Sequence, residues 1–102
     1  MTEDQFEAIR NRLHGASLQV YVSTFCFDCR RLKGLLDEHG IEYEVVNISS
    51  VAGAADRLER ETGKRGVPFV LVNDSKWVRG YHLDQPGRLN AEVFARELSE
   101  AL

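Results

Sequence analysis

Two cysteines separated by two residues, Cys26-Phe27-Asp28-Cys29, carry the chemistry for which this sequence is best equipped. A thiolate attacks disulfide sulfur, and at this spacing the second thiol lies about one helical turn behind the first. Cys26 therefore reads as the attacking thiol and Cys29 as the resolving one. The first forms a mixed disulfide with a substrate, and the second displaces the reduced product. Taken alone, a Cys-x-x-Cys also fits a structural disulfide, half of a metal site or two inert buried thiols.

The neighbours of the pair bear on its reactivity. A short strand precedes it, and Leu32, Leu35 and Leu36 follow at helical spacing. Cys26 thus falls at a helix N-terminus, where unpaired N–H groups and the positive end of the dipole favour a thiolate. A free cysteine titrates near about 8.5, whereas one so placed in a Cys-x-x-Cys can fall to roughly 3.5 to 7.5. Asp28 sets a carboxylate against that thiolate, and Arg30 and Arg31 act in the other direction. Phe25 and Phe27 read either as an apolar rim suited to a protein surface or as core at a strand end. His14, His39 and His82 are dispersed among helix ends and a loop, so surface positions are expected for them and no metal site is expected.

Holding such a pair in place takes a sheet and helices. Thr2 and Gln5 make a capping box, and Phe6, Ile9 and Leu13 share one face, which predicts a helix over residues 3–13 packed on the sheet. A buried strand at 18–22, a helix from about 26 to 40 and a second strand at 42–48 make a βαβ unit with parallel strands. Ser49 or Ser50 is expected to cap a third helix through 62, with Ala55 and Leu58 toward the core and Gly63 as the stop. Residues 67–72, with Pro68 near the start where a missing donor is tolerated, pair with 77–81 about a polar turn at 73–76. A loop at 82–88 carrying Pro86 and Gly87 leads to a last helix over 89–101, with Val93, Phe94 and Leu98 inward. The fold class is α/β.

With 102 residues, 43% hydrophobic and 28% charged, the chain suits one core and a single domain, 1–102, in which 1–16 form an N-terminal helical extension. Two cysteines are too few for a disulfide framework or a complete structural zinc site. A net charge of −3 with scattered basic residues lacks the footprint of a nucleic-acid binder. The longest nearly apolar stretch, 66–72, is far short of the roughly 20 residues that span a bilayer. Met1-Thr2-Glu3-Asp4-Gln5 lacks the basic start and apolar run of a secretory signal, so the cytoplasm is the expected compartment; a monomer is expected.

The order strand, Cys-x-x-Cys, helix, strand, helix, Val67-Pro68 strand, hairpin strand, Gly80-Tyr81, helix resembles the glutaredoxins and their thioredoxin-fold relatives over about residues 18–101. The resemblance implies a thioredoxin-like fold, a four-stranded mixed sheet flanked by helices, with the N-terminal helix as an addition. It implies that Pro68 is cis and faces the Cys26 sulfur, and that the Val67 backbone offers antiparallel hydrogen bonds to an extended substrate. Phe27, Arg65, Gly80 and Tyr81 would border the same groove, Arg65 as a carboxylate binder. The implied activity is reduction of protein or mixed disulfides, serving electron transport and redox homeostasis, with no tightly bound cofactor and glutathione as reductant.

Ser23, Phe27 and Gly66 stand where glutathione-binding members commonly carry lysine, proline and threonine. The missing lysine removes a cation that would lower the thiol pKa and attract a glutathione carboxylate. Asp84 is the residue after the glycine turn suited to the glutathione amino group. Similar departures occur in glutaredoxin-like proteins that resemble the ribonucleotide-reductase electron donors and draw on thioredoxin reductase. Some glutaredoxins instead join two protomers through a [2Fe–2S] cluster, and the retained Cys29 and bulky Phe27 count against that role.

Overall fold

The computed structural model describes residues 2–82 and 89–102. The expected loop with Pro86 and Gly87, the Asp84 position and the Thr2 side chain of the expected capping box lie outside the described residues. Along the chain run α1 (Thr2–His14), β1 (Leu18–Val22), α2 (Phe27–Glu38), β2 (Glu44–Asn47), α3 (Ala54–Thr62), β3 (Phe69–Val72), β4 (Lys76–Arg79) and α4 (Ala91–Ala101). The sheet order is β2-β1-β3-β4. β1 and β2 are parallel, and β1–β3 and β3–β4 are antiparallel, so the sheet is mixed.

Side chains alternate across a strand, and this sheet is buried on both faces. Leu18, Val20 and Val22 of β1, Val70 and Val72 of β3 and Val78 of β4 share one cluster with α1 (Phe6, Ile9, Leu13), α2 (Cys29, Leu32, Leu36) and α4 (Phe94, Ala95, Leu98). Tyr21, Phe69 and Leu71 turn the other way, against Ala54 and Leu58 of α3. Three helices thus cover one face and α3 the other. α1 lies along α4 more than on the sheet itself: Gln5 Nε2 donates to Glu92 C=O at 3.3 Å, Arg12 Nη2 donates to Ser99 C=O at 3.0 Å, and the Phe6 ring stacks 4.3 Å from His39 at the end of α2.

Several boundaries differ from the sequence reading. α3 starts at Ala54, not at Ser49 or Ser50, because Asn47 takes those backbone donors first. Its Oδ1 accepts the Ser49 N–H at 2.8 Å, and its carbonyl accepts from Ser50 and Val51 at 3.1 and 2.9 Å. Gly53 then turns left-handed (φ 80), a conformation that has no place inside a right-handed helix, so α3 begins just after it. The shifted start makes Ala54, not Ala55, the buried partner of Leu58. β2 is confined to the four residues opposite Gln19 to Val22, and Tyr43, just before it, packs against the main core while its hydroxyl donates to Asp37 at 2.9 Å. β4 begins at Lys76, opposite Val72, because Asn73 and Asp74 both adopt left-handed backbone and tighten the turn.

The histidines also depart from expectation. His14 is exposed, but His39 is half-buried on Phe6. His82 is 13% exposed, with Nδ1 accepting the Asn90 N–H at 3.2 Å and Nε2 3.5 Å from Glu97. Among the described residues no helix is long and apolar enough to cross a membrane.

Candidate active site

β1 delivers the chain to residues 23–26, and α2 carries it away. Cys26 is the N-cap of α2: its backbone is extended (φ −105, ψ 108), and its Sγ accepts the Cys29 N–H at 3.1 Å. A sulfur there receives one of the helix's orphan donors together with the positive end of its dipole, and both favour negative charge on Sγ. Cys26 and Cys29 are joined in a disulfide, with Cα atoms 5.2 Å apart. Cys26 is half-buried and Cys29 only 2% exposed. The accessible sulfur is the one suited to attack, and the enclosed one is suited to resolve.

Asp28 is turned to Arg31, with Oδ1 3.0 Å from Nη1 and its side chain only 14% exposed. The Arg31 cation is thus engaged against the Asp28 carboxylate beside the sulfurs, so the opposed influences read from the sequence partly cancel within one turn. Arg30 lies 5.7 Å over the Phe27 ring. Phe25 and Phe27 form a rim and not core, standing 90% and 73% exposed.

The Val67–Pro68 bond is cis, and Pro68 is fully buried at the start of β3. Val67 and Cys26 pack against the same core cluster, which contains Cys29 and Leu32. The Gly80 N–H donates to the Pro68 carbonyl at 2.9 Å. A side chain at Gly80 has no room, because its Cβ would fall 2.5 Å from Leu32 Cδ2 and 3.0 Å from Pro68 Cγ. Gly80 therefore lets the Pro68 strand and the first turns of α2 close upon each other.

Tyr81 is 7% exposed and set edge-on to Phe69, with ring centroids 5.9 Å apart, while Arg79 sits 5.4 Å over its ring. It packs in the core beneath α3. Its hydroxyl lies where a Cβ at Gly66 would stand, 2.6 Å away, which explains a glycine just ahead of Val67-Pro68. Arg65 is exposed, and two carboxylates of α3 engage it: Asp56 at 2.7 Å from Nη2 and Glu59 at 3.3 Å from Nε. Of these contacts, the three-residue spacings of Asp28 with Arg31 and of Phe27 with Arg30 are the ones legible in the sequence. The Tyr81–Gly66 and Arg65–α3 contacts join residues with no such signal.

A sequence model of the glutaredoxin family matches residues 18–77, more than half of the chain. The glutaredoxin-like protein NrdH of Salmonella typhimurium is 35% identical over 74 residues, covering 72% of this chain and 89% of that protein. Among solved structures, the glutaredoxin grx-1 of Archaeoglobus fulgidus aligns with a TM-score of 0.60 and 26% identity over 88% of this chain and 90% of its own. The thioredoxin-like protein BC3987 aligns with a TM-score of 0.61 over 84% of this chain and all of its own, a likeness of fold at 23% identity.

Proposed function

The chain belongs to the glutaredoxin family, and from that premise we propose that this thiol–disulfide oxidoreductase reduces disulfides in proteins and mixed disulfides, with Cys26 as nucleophile. The carrying observation is the disulfide-bonded pair at the N-terminus of α2, with the more accessible sulfur at the N-cap. In the reduced protein, the Cys26 thiolate attacks one sulfur of the substrate disulfide and forms a mixed disulfide with it, while the other sulfur leaves as a thiolate and takes up a proton. Cys29, once deprotonated, attacks Cys26 Sγ, releases the second substrate thiol and closes the disulfide. Two electrons pass to the substrate, and the pair is left oxidised.

Glutathione and a thioredoxin reductase are the two reductants offered by the family resemblance, and the charges near the site favour the reductase. Ser23 supplies no cation, and Arg65 is held by Asp56 and Glu59, which compete with any glutathione carboxylate. A reducing cytoplasmic compartment fits a pair that must cycle through the dithiol.

The test follows NADPH oxidation on a mixed disulfide, coupled either to glutathione and glutathione reductase or to thioredoxin reductase. Turnover with thioredoxin reductase, and loss of turnover in Cys26→Ser and Cys29→Ser, is expected. Turnover with glutathione that survives Cys29→Ser makes glutathione the donor through monothiol chemistry, and turnover that survives Cys26→Ser overturns the assignment of the nucleophile.

A further inference from the structure

Phe25 and Phe27 are the covalent neighbours of Cys26, and both rings stand in solvent, 90% and 73% exposed. Phe25 also has left-handed backbone, φ 61, where the clash of Cβ with the following carbonyl disfavours any residue but glycine and bulky ones most. Among the described residues the other non-glycine positions with positive φ are Asn73 and Asp74, types that tolerate it, in a hairpin turn. Phe25 has no such reason. An apolar ring kept out of the core by an unfavourable backbone, one residue from the reacting sulfur, is a cost that the fold does not require.

From this we infer that Phe25 and Phe27 form a two-ring platform for the polypeptide flanking a substrate disulfide, so that the enzyme prefers half-cystines with an apolar neighbour. The inference rests on the dithiol reading above. Both rings belong to the residues on either side of Cys26 in the chain, so a disulfide attacked there brings its own neighbouring residues close to them. The occupant is an extended polypeptide, because neither the N–H nor the C=O of Val67 has a backbone partner among the described residues. Small disulfides have neither a strand to pair there nor a side chain to cover the rings. Phe27 already has Arg30 against it at 5.7 Å, so Phe25 contributes the larger share.

The experiment mixes pre-reduced protein with three oxidised substrates in single turnover. Two are disulfide-linked peptides that differ only in a Leu or a Ser beside the half-cystine, and the third is 2-hydroxyethyl disulfide. Each peptide's second-order rate constant is divided by that for the small disulfide. In the wild type the Leu peptide is expected to lead the Ser peptide by about tenfold, the gain from covering one apolar side chain. Phe25→Ser and Phe25→Asn should both reduce that ratio to within about twofold, Phe27→Ser less so, and Phe25→Trp should retain it. A Leu preference that survives Phe25→Ser overturns the proposal. So does retention in Phe25→Asn alone, because asparagine keeps the left-handed backbone without the ring. If wild type reacts with none of the three, the dithiol reading fails and this inference with it.

Discussion

Cys26 closes the short connection after β1 and caps α2, and that position gives its sulfur a backbone donor and the positive end of a helix dipole. The extended backbone aims Sγ at the Cys29 N–H, while Asp28 brings a carboxylate into the same turn. A nearby negative charge disfavours a thiolate, and the Arg31 guanidinium at 3.0 Å from Asp28 offsets part of that. Removing the carboxylate should therefore lower the pKa of the reactive thiol, and removing its partner should raise it. In the reduced protein, Asp28→Asn is expected to shift the pH midpoint of iodoacetamide alkylation down by up to about one unit, and Arg31→Gln to shift it up. A midpoint unmoved by both would mean that the helix terminus alone sets the thiol.

Among the elements, α3 and the β3–β4 hairpin are tied by a short polar chain. Arg57 donates to Glu61 at 2.9 Å and to Asp74 of the turn at 2.8 Å, and Trp77 Nε1–H donates to Glu61 at 2.9 Å. The Trp77 hydrogen bond first, and the Arg57 hydrogen bond second, hold the Glu61 carboxyl below the ordinary glutamate value. A carboxyl with a depressed folded pKa contributes stability that is present above its unfolded pKa and is lost as pH falls through the folded value. Urea midpoints of wild type are thus expected to decline below about pH 4.3, the ordinary glutamate value. Glu61→Gln should show a shallower decline, and identical acid slopes would remove the Trp77–Glu61–Arg57 chain as a source of acid sensitivity. The α3 boundary has a local cause as well: Ser49 and Ser50 are sound caps in isolation, but Asn47 accepts the Ser49, Ser50 and Val51 N–H groups and closes a turn there, and local pattern cannot rank that turn against a helix start built from the same residues.

At the scale of the molecule, α1 lies before the 18–77 span that matches the glutaredoxin family, yet it contributes Phe6, Ile9 and Leu13 to the main core. Phe6 is 1% exposed between His39 and Phe94, so Phe6→Ala is expected to cost about 3–5 kcal/mol in urea unfolding. A loss under about 1 kcal/mol would make the helix a loosely held appendage. Most of this architecture is legible in the sequence. Apolar runs rich in β-branched and aromatic residues at 18–22 and 67–72 and the helical spacing of Leu32 and Leu36 mark the α/β order, because each rests on contacts a few residues apart, while the Val67-Pro68 and Gly80-Tyr81 steps mark it through the family resemblance. Only the tertiary structure decides which side of a surface an aromatic faces and which charges are already engaged. Phe25 outward and Tyr81 inward look alike in sequence, and Arg65 reads as free until Asp56 and Glu59 of α3 are brought beside it. Exposure and pairing depend on what the rest of the chain packs nearby, and that is settled only when the elements meet.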